Sequence, residues 1–263
     1  MTEIRKELIK CPQCKKKTKF YLWADINIGE HPEMKEKVVS GEAFMFTCPD
    51  CGAKVQVNFD ITYEDPEQGL LIYCCPGKEE YKVRKQLLEV QSESRKDGVL
   101  TMGSDGQRTS DIEAQSESHK ANVLGAQSES QSAGGAISNY ILRLVPSQNQ
   151  MREKVNIFAL GLDDRVIEFV KAMVMAQLEE QQQGRLSYSE VLFLTMEDGK
   201  YAFELVNETQ SLGLVPFEKE LYDECAEKFG TGLKDIGEDD YIIDLAWVLQ
   251  KVQADERAQQ ALN

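Results

Sequence analysis

Cys11-Pro12-Gln13-Cys14-Lys15-Lys16-Lys17 and Cys48-Pro49-Asp50-Cys51-Gly52 carry one short motif twice, with 33 residues between Cys14 and Cys48. Two residues between paired thiols let a single turn aim both sulfurs at one ion. Two such turns supply the four ligands of a closed tetrahedral zinc site, here Cys11, Cys14, Cys48 and Cys51. Gly52 directly after the second pair permits a positive φ in a tight turn. The lysines after the first pair would partly offset the double negative charge of a zinc ion bound by four thiolates. The alternatives are a redox dithiol and unliganded cysteines. A thioredoxin-like CxxC opens a helix after a βα pattern, whereas these pairs lie between strand-like stretches.

Outward from the turns, Phe44, Phe46 and Cys48 alternate, as do Val55, Val57 and Phe59, so two strands bracket the second turn. Residues 3–9 form a short lead-in strand, and 20–28 read as one strand or two, broken near Ala24-Asp25. Pro32 suits a first helical turn, and 33–38 form a short helix ended by Ser40-Gly41. A strand over 55–63 is followed by the turn cluster 64–69, an apolar strand over 70–75 and a helix over 81–90.

Residues 91–135 change character. They lack aromatic residues, and Gln-Ser-Glu-Ser recurs there, starting at Gln91, Gln115 and Gln127. So little apolar surface cannot offset the entropy of ordering, which predicts a flexible insertion. A small stacked repeat element is the alternative. Beyond it, a strand runs from Tyr140 to Pro146-Ser147, and 155–160 read as another short strand. Gly161-Leu162-Asp163-Asp164 opens a helix that runs to Gln182, with Asp163 as N-cap. Asp198-Gly199 joins strands 191–196 and 201–206 as a hairpin. Phe217, Leu221, Tyr222, Cys225 and Phe229 mark one further helix. Asp239 or Asp240 caps a last one carrying Tyr241, Ile242, Leu245 and Leu249.

The formal net charge is −15, unevenly spread. Residues 1–90 carry 14 basic and 15 acidic groups, and 136–263 carry 12 and 23. The acidic half would repel nucleic acid, but a local basic patch is open to the cysteine-containing half. No apolar run reaches the length of a membrane span. The first residues, MTEIRKELIK, have no apolar core of a secretory signal. With seven cysteines, four of them in CxxC pairs, the expected compartment is the reducing cytoplasm.

Other residues yield less. Cys74 and Cys75, adjacent in a strand, point to opposite faces, which argues against both serving one ion; they read as a core cysteine and an incidental neighbour, with a spare ligand or redox role as the alternative. Cys225 falls on an apolar helical face, and His31 reads as a loop residue beside Pro32. Capping and a local ion pair account for Asp163, Asp164 and Arg165. Gly230-Thr231-Gly232 lacks a Walker lysine and dinucleotide-fingerprint spacing.

The paired turns resemble those of the bacterial CpXC proteins. The likeness extends to Ser40-Gly41-Glu42-Ala43-Phe44, to Tyr63-Glu64-Asp65-Pro66, to Arg143-Leu144-Val145-Pro146 and Glu153-Lys154-Val155, and to Gly161-Leu162-Asp163-Asp164-Arg165. The resemblance implies a cytoplasmic protein with a structural Zn2+ site and supplies no enzyme activity.

The expected fold is α+β. A zinc-ribbon-like element is set in a small antiparallel sheet, the helix 162–182 packs on that sheet, and a C-terminal α/β unit follows. The division is 1–182, including the insertion 91–135, and 185–258. The expected function is a zinc-stabilised intracellular module binding a protein partner. Nucleic-acid recognition by Lys10, Lys15, Lys16, Lys17 and Lys19 beside Phe20 and Tyr21 is the alternative. A thiol redox sensor, or an enzyme whose site the sequence does not display, ranks below both.

Overall fold

The structure is a computed structural model that describes residues 4–100, 140–182, 187–207, 210–230 and 240–262. The fold is α+β. Strands β1 (Ile4–Lys10) and β2 (Lys17–Trp23) form an antiparallel ribbon around the first cysteine turn. Strands β4 (Met45–Thr47) and β5 (Lys54–Gln56) do the same around the second. The break expected at Ala24 is present: β3 (Asp25–Asn27) leaves the ribbon and joins a different sheet. Helix α1 (Glu33–Ser40) ends at Gly41, where φ is 82°.

β3 lies at the edge of a four-stranded sheet, in the order β3, β6 (Ile61–Asp65), β7 (Leu70–Cys74) and β8 (Ile141–Val145). This sheet is mixed where an antiparallel one was expected. β3 runs parallel to β6, and β7 runs parallel to β8. A parallel neighbour needs a crossover, and helix α2 (Lys78–Leu100) lies in the connection from β7 to β8. α2 continues ten residues into the stretch that composition assigns to an insertion. Its Ser, Glu, Arg and Lys residues are adequate helix formers once a helix is under way. The rest of that stretch, 101–135, lies outside the described residues.

Of residues 155–160, expected as a strand, 155–159 belong to helix α3 (Gln148–Ala159) and Leu160 is its C-cap. Ser147 caps it, its Oγ accepting a hydrogen bond from the Gln150 N–H. Met151 and Val155 pack against Ile26, Met34, Tyr63 and Ile72 on one face of the four-stranded sheet. Ile157 faces the other way, into a second core. α3, not the helix after it, is therefore the helix laid on the first sheet.

Helix α4 (Asp164–Gln182) places Val166, Phe169, Val170 and Val174 in the second core. Its partners there are a three-stranded antiparallel sheet and two helices. The sheet holds β9 (Glu190–Thr195), β10 (Tyr201–Asn207) and β11 (Gln210–Phe217), with β10 central. The β9–β10 hairpin turns at Gly199, as Asp198-Gly199 predicts, with φ 81°. β11 was not expected, and Phe217 lies at its end and not on a helix. Helix α5 (Lys219–Gly230) follows. Helix α6 (Leu245–Leu262) starts later than expected, because Asp244 caps it by accepting from the Trp247 N–H. Asp240 instead accepts from Trp247 Nε1, and Tyr241 and Ile242 pack against Cys75, Leu88 and Leu144. Among the described residues, no helix is long and apolar enough to cross a membrane.

Candidate metal centre

The two turns are built alike. The Cys11 carbonyl accepts from the Lys15 N–H at 3.0 Å, and the Cys48 carbonyl from the Gly52 N–H at 2.9 Å. The Cys11 N–H donates to the Lys16 carbonyl, and the Cys48 N–H to the Ala53 carbonyl. Gly52 has the positive φ its position demands, 72°, and its counterpart Lys15 has φ 63°. Lys16 Nζ donates to Asp50 Oδ1 at 2.6 Å and ties the first turn to the second. Beneath them Phe20 meets Phe46 edge to face, with ring centroids 5.4 Å apart.

This arrangement brings all four predicted sulfurs together, every pair within 4.8 Å. Cys11 and Cys51 approach to 3.6 Å, and Cys14 and Cys48 to 3.6 Å. These short contacts run between the turns, whereas a redox dithiol would pair within one. A tetrahedron with zinc–sulfur bonds of about 2.3 Å has edges of about 3.8 Å, so the donor set fits one metal ion after small adjustments. Cys11 and Cys48 are buried, Cys14 is half-buried and Cys51 is exposed.

Ionisation in the cluster is strongly uneven. Backbone N–H groups of Cys14 and Gln13 and the neighbouring thiols hold Cys11 down, to about 6, against the opposing effect of burial. For Cys14, the Lys16 N–H pulls the same way, but burial and the Cys48, Cys11 and Cys51 sulfurs prevail and push it up to about 12. The first thiolate formed makes a second one beside it costly. A bound divalent cation reverses that cost and deprotonates coordinating thiols outright. Lys16 is held in its charged form first by Asp50, with Cys14 and Cys48 adding to it.

The remaining candidate residues lie elsewhere. Cys74 and Cys75 fall into two separate buried clusters, as opposite strand faces require, and Cys225 lies in the second core. Burial raises the pKa of all three thiols. His31 packs edge to face on Trp23 and contacts Glu33, outside the cysteine cluster.

A second concentration of charge escaped the sequence reading. Arg143, Glu153, Lys154, Asp164, Glu168 and Lys171 are all buried between the two cores. Arg143 Nε and Nη2 bind Asp164 Oδ2 and Oδ1 at 2.7 Å each, and Lys154 Nζ reaches Asp164 at 3.0 Å. Lys171 Nζ lies 2.7 Å from Glu153 and 2.8 Å from Glu168. Three cations thus meet three anions. Burial alone would raise the Asp164 pKa, but Lys154 and Arg143 outweigh it and hold the carboxyl well below its ordinary range. For Glu153, burial prevails over Lys171 and raises the pKa. Desolvation opposes the charge on Lys171, and Glu153 and Glu168 outweigh it and raise its pKa. The local reading of Asp163 holds, since it accepts from the Arg165 backbone and pairs with its guanidinium. The neighbouring Asp164 instead binds elements far along the chain. A groove of about 430 Å3 between α4, β9 and α6 reaches this network at Glu153, Glu168 and Lys171. Their charges are compensated within the six-residue network, where Lys154 Nζ also lies 3.4 Å from Glu168.

A family model described as CpXC protein matches residues 9–171, a stretch holding the four clustered cysteines and all six members of the buried ion network. No curated protein and no solved structure matches the chain. The match covers well over half of the sequence, and the chain belongs to the CpXC family.

Proposed function

We propose that Cys11, Cys14, Cys48 and Cys51 hold one structural zinc ion, and that the protein is a zinc-stabilised interaction module of the reducing cytoplasm. The observation that carries this reading is the meeting of four sulfurs within 4.8 Å on two turns of the same build. Sulfur-only tetrahedral sets favour zinc or an iron–sulfur centre. Four thiolates leave no coordination position for water, so the ion braces the fold and does not hydrolyse a substrate.

The fold has need of such a brace. The cluster beneath the turns has only Cys11, Phe46 and Cys48 fully buried. An isolated two-stranded hairpin is marginal in water, and two of them here share that small core. Metal binding supplies folding free energy directly. The result is a rigid ribbon whose outer face is available to a partner.

The test is the metal content of the chain, its visible absorbance, and its free-thiol count with and without a strong chelator. The expected result is about one zinc per chain and no visible band, with four thiols becoming reactive on chelation. Cys74, Cys75 and Cys225 should stay protected until denaturant is added. A metal-free protein with four thiols reactive from the start would overturn the proposal and bring forward redox sensing.

A further inference from the structure

Antiparallel pairing gives the β1–β2 ribbon two unlike faces. Directly opposed residues share a face, and the register runs without a bulge from Ile4↔Trp23 to Lys10↔Lys17. One face carries Glu7, Ile9, Phe20 and Leu22, and Phe20 is engaged with Phe46. The other carries Lys6, Lys10, Lys17 and Lys19 around Tyr21 and Leu8, all exposed.

No carboxylate lies on this outer face within the ribbon. Lys10 and Lys17 stand directly opposite one another, a like-charge pairing that destabilises a sheet. Leu8 is 66% exposed and Tyr21 58%, and Lys6 Nζ lies 5.7 Å from the Tyr21 ring centroid. In a chain of net charge −15, four exposed lysines on one ribbon face are segregated positive charge, complementary to an anionic partner. Alternate residues on a strand lie about 6.7 Å apart, so Lys17, Lys19 and Tyr21 follow one another along β2, with Lys10, Leu8 and Lys6 opposite them on β1.

The sequence-based set of basic residues is thereby revised. Lys16 is spent on Asp50, and Lys15 Nζ on the Pro12 carbonyl. Phe20 is spent on Phe46, and Lys6 joins the set through its pairing with Tyr21.

We infer that this face binds single-stranded nucleic acid, with Lys6, Lys10, Lys17 and Lys19 on the phosphates and a base stacked on Tyr21. The inference rests on the proposed metal-braced module, because the ion holds the end of the ribbon. Lysine rows alone would suit an acidic protein equally. The exposed Tyr21 ring, beside Lys19 and opposite Lys6, favours bases, whose π-faces stack on aromatic side chains irrespective of sequence.

The test uses the full chain, fluorescein-labelled oligothymidylate and fluorescence anisotropy between 50 and 200 mM salt, with zinc content measured on every sample. Four phosphate contacts give a slope of log K on log salt of about −3. The double variant Lys10→Gln/Lys19→Gln should reduce that slope by about half. Tyr21→Ala should weaken binding by about tenfold at an unchanged slope. Lys200→Gln, on a distant turn, should change neither.

A zinc-loaded protein that fails to bind at low salt overturns the inference and leaves the zinc site standing. So does a slope indifferent to the lysine substitutions. Displacement by polyglutamate as effective as by unlabelled oligonucleotide, with Tyr21→Ala neutral, overturns it in favour of an acidic protein partner. A metal-free protein that still binds through Tyr21 overturns the zinc reading and keeps this one.

Discussion

Lys15 and Gly52 occupy the same place in two turns of one design, with φ 63° and 72°, four residues after Cys11 and Cys48. One turn meets the conformational demand with the residue suited to it, and the other holds a side chain in a region that L-residues rarely adopt.

The asymmetry predicts opposite outcomes for two substitutions. Lys15→Gly relieves the strained backbone but gains entropy in the unfolded chain, for a net stabilisation of about 0.5 kcal/mol. Gly52→Ala meets open space, so its cost is purely conformational, about 1 kcal/mol. Denaturant titration of the metal-loaded protein measures both. Equal shifts of the same sign would show that the turns are not equivalent.

Loss of the cluster should be local. Cys48→Ser removes a donor from the small core beneath the turns, which is separate from the core shared by α4 and β9–β11. The expected result is loss of bound metal and a rise of about a hundredfold or more in amide exchange across β1, β2, β4 and β5. Protection in β9 and β10 should be retained. Exchange that rises everywhere at once would mean that the ribbon and the second core unfold as one unit.

The buried pair of Arg143 and Asp164 makes a double-mutant cycle informative. Asp164→Asn leaves Arg143 and Lys154 without their shared anion and should cost about 3–5 kcal/mol. Arg143→Met should cost a similar amount, while the combined Arg143→Met/Asp164→Asn variant should cost less than the two single changes added together. Strict additivity in urea unfolding would show that the pair is not coupled.

Asp164 also sets an acid limb. Its folded pKa is depressed below the ordinary 3.8, so its contribution to stability is present above that pH and is lost as pH falls below it. Glu153, raised by burial, acts in the opposite sense, because its ionised form is costly and acid relieves that cost. Thermal midpoints measured from pH 5 down to pH 2 should fall steeply for the native sequence. They should fall less for Asp164→Asn, and an identical acid limb in the variant would rule out this source of the pH dependence.

Much of the fold was written locally. Asp198-Gly199 marked its hairpin, Gly41 ended its helix, and the break at Ala24 separated β2 from β3. The misreading of 155–160 had a local remedy. Ser147 with Gln150 three residues on is an N-cap signature, and Met151, Val155 and Phe158 recur at helical spacing. A short apolar run had outweighed both.

The sequence by itself determined the two cysteine turns and the four sulfurs they present, because CxxC spacing pairs two sulfurs through local turn geometry, while the meeting of the turns is a tertiary contact. Only the tertiary structure decided the ion network and the two faces of the ribbon. Glu153, Lys154, Glu168 and Lys171 would pass for the solvated face of any helix. They are interior because α3 is enclosed between two sheets, each claiming one side of it. Likewise, which lysines share a surface with Tyr21 follows from strand register. Register is a relation between segments, so pairing β1 with β2 was required before five neighbouring basic residues could be sorted into those on the exposed face beside Tyr21 and those already engaged within the turns.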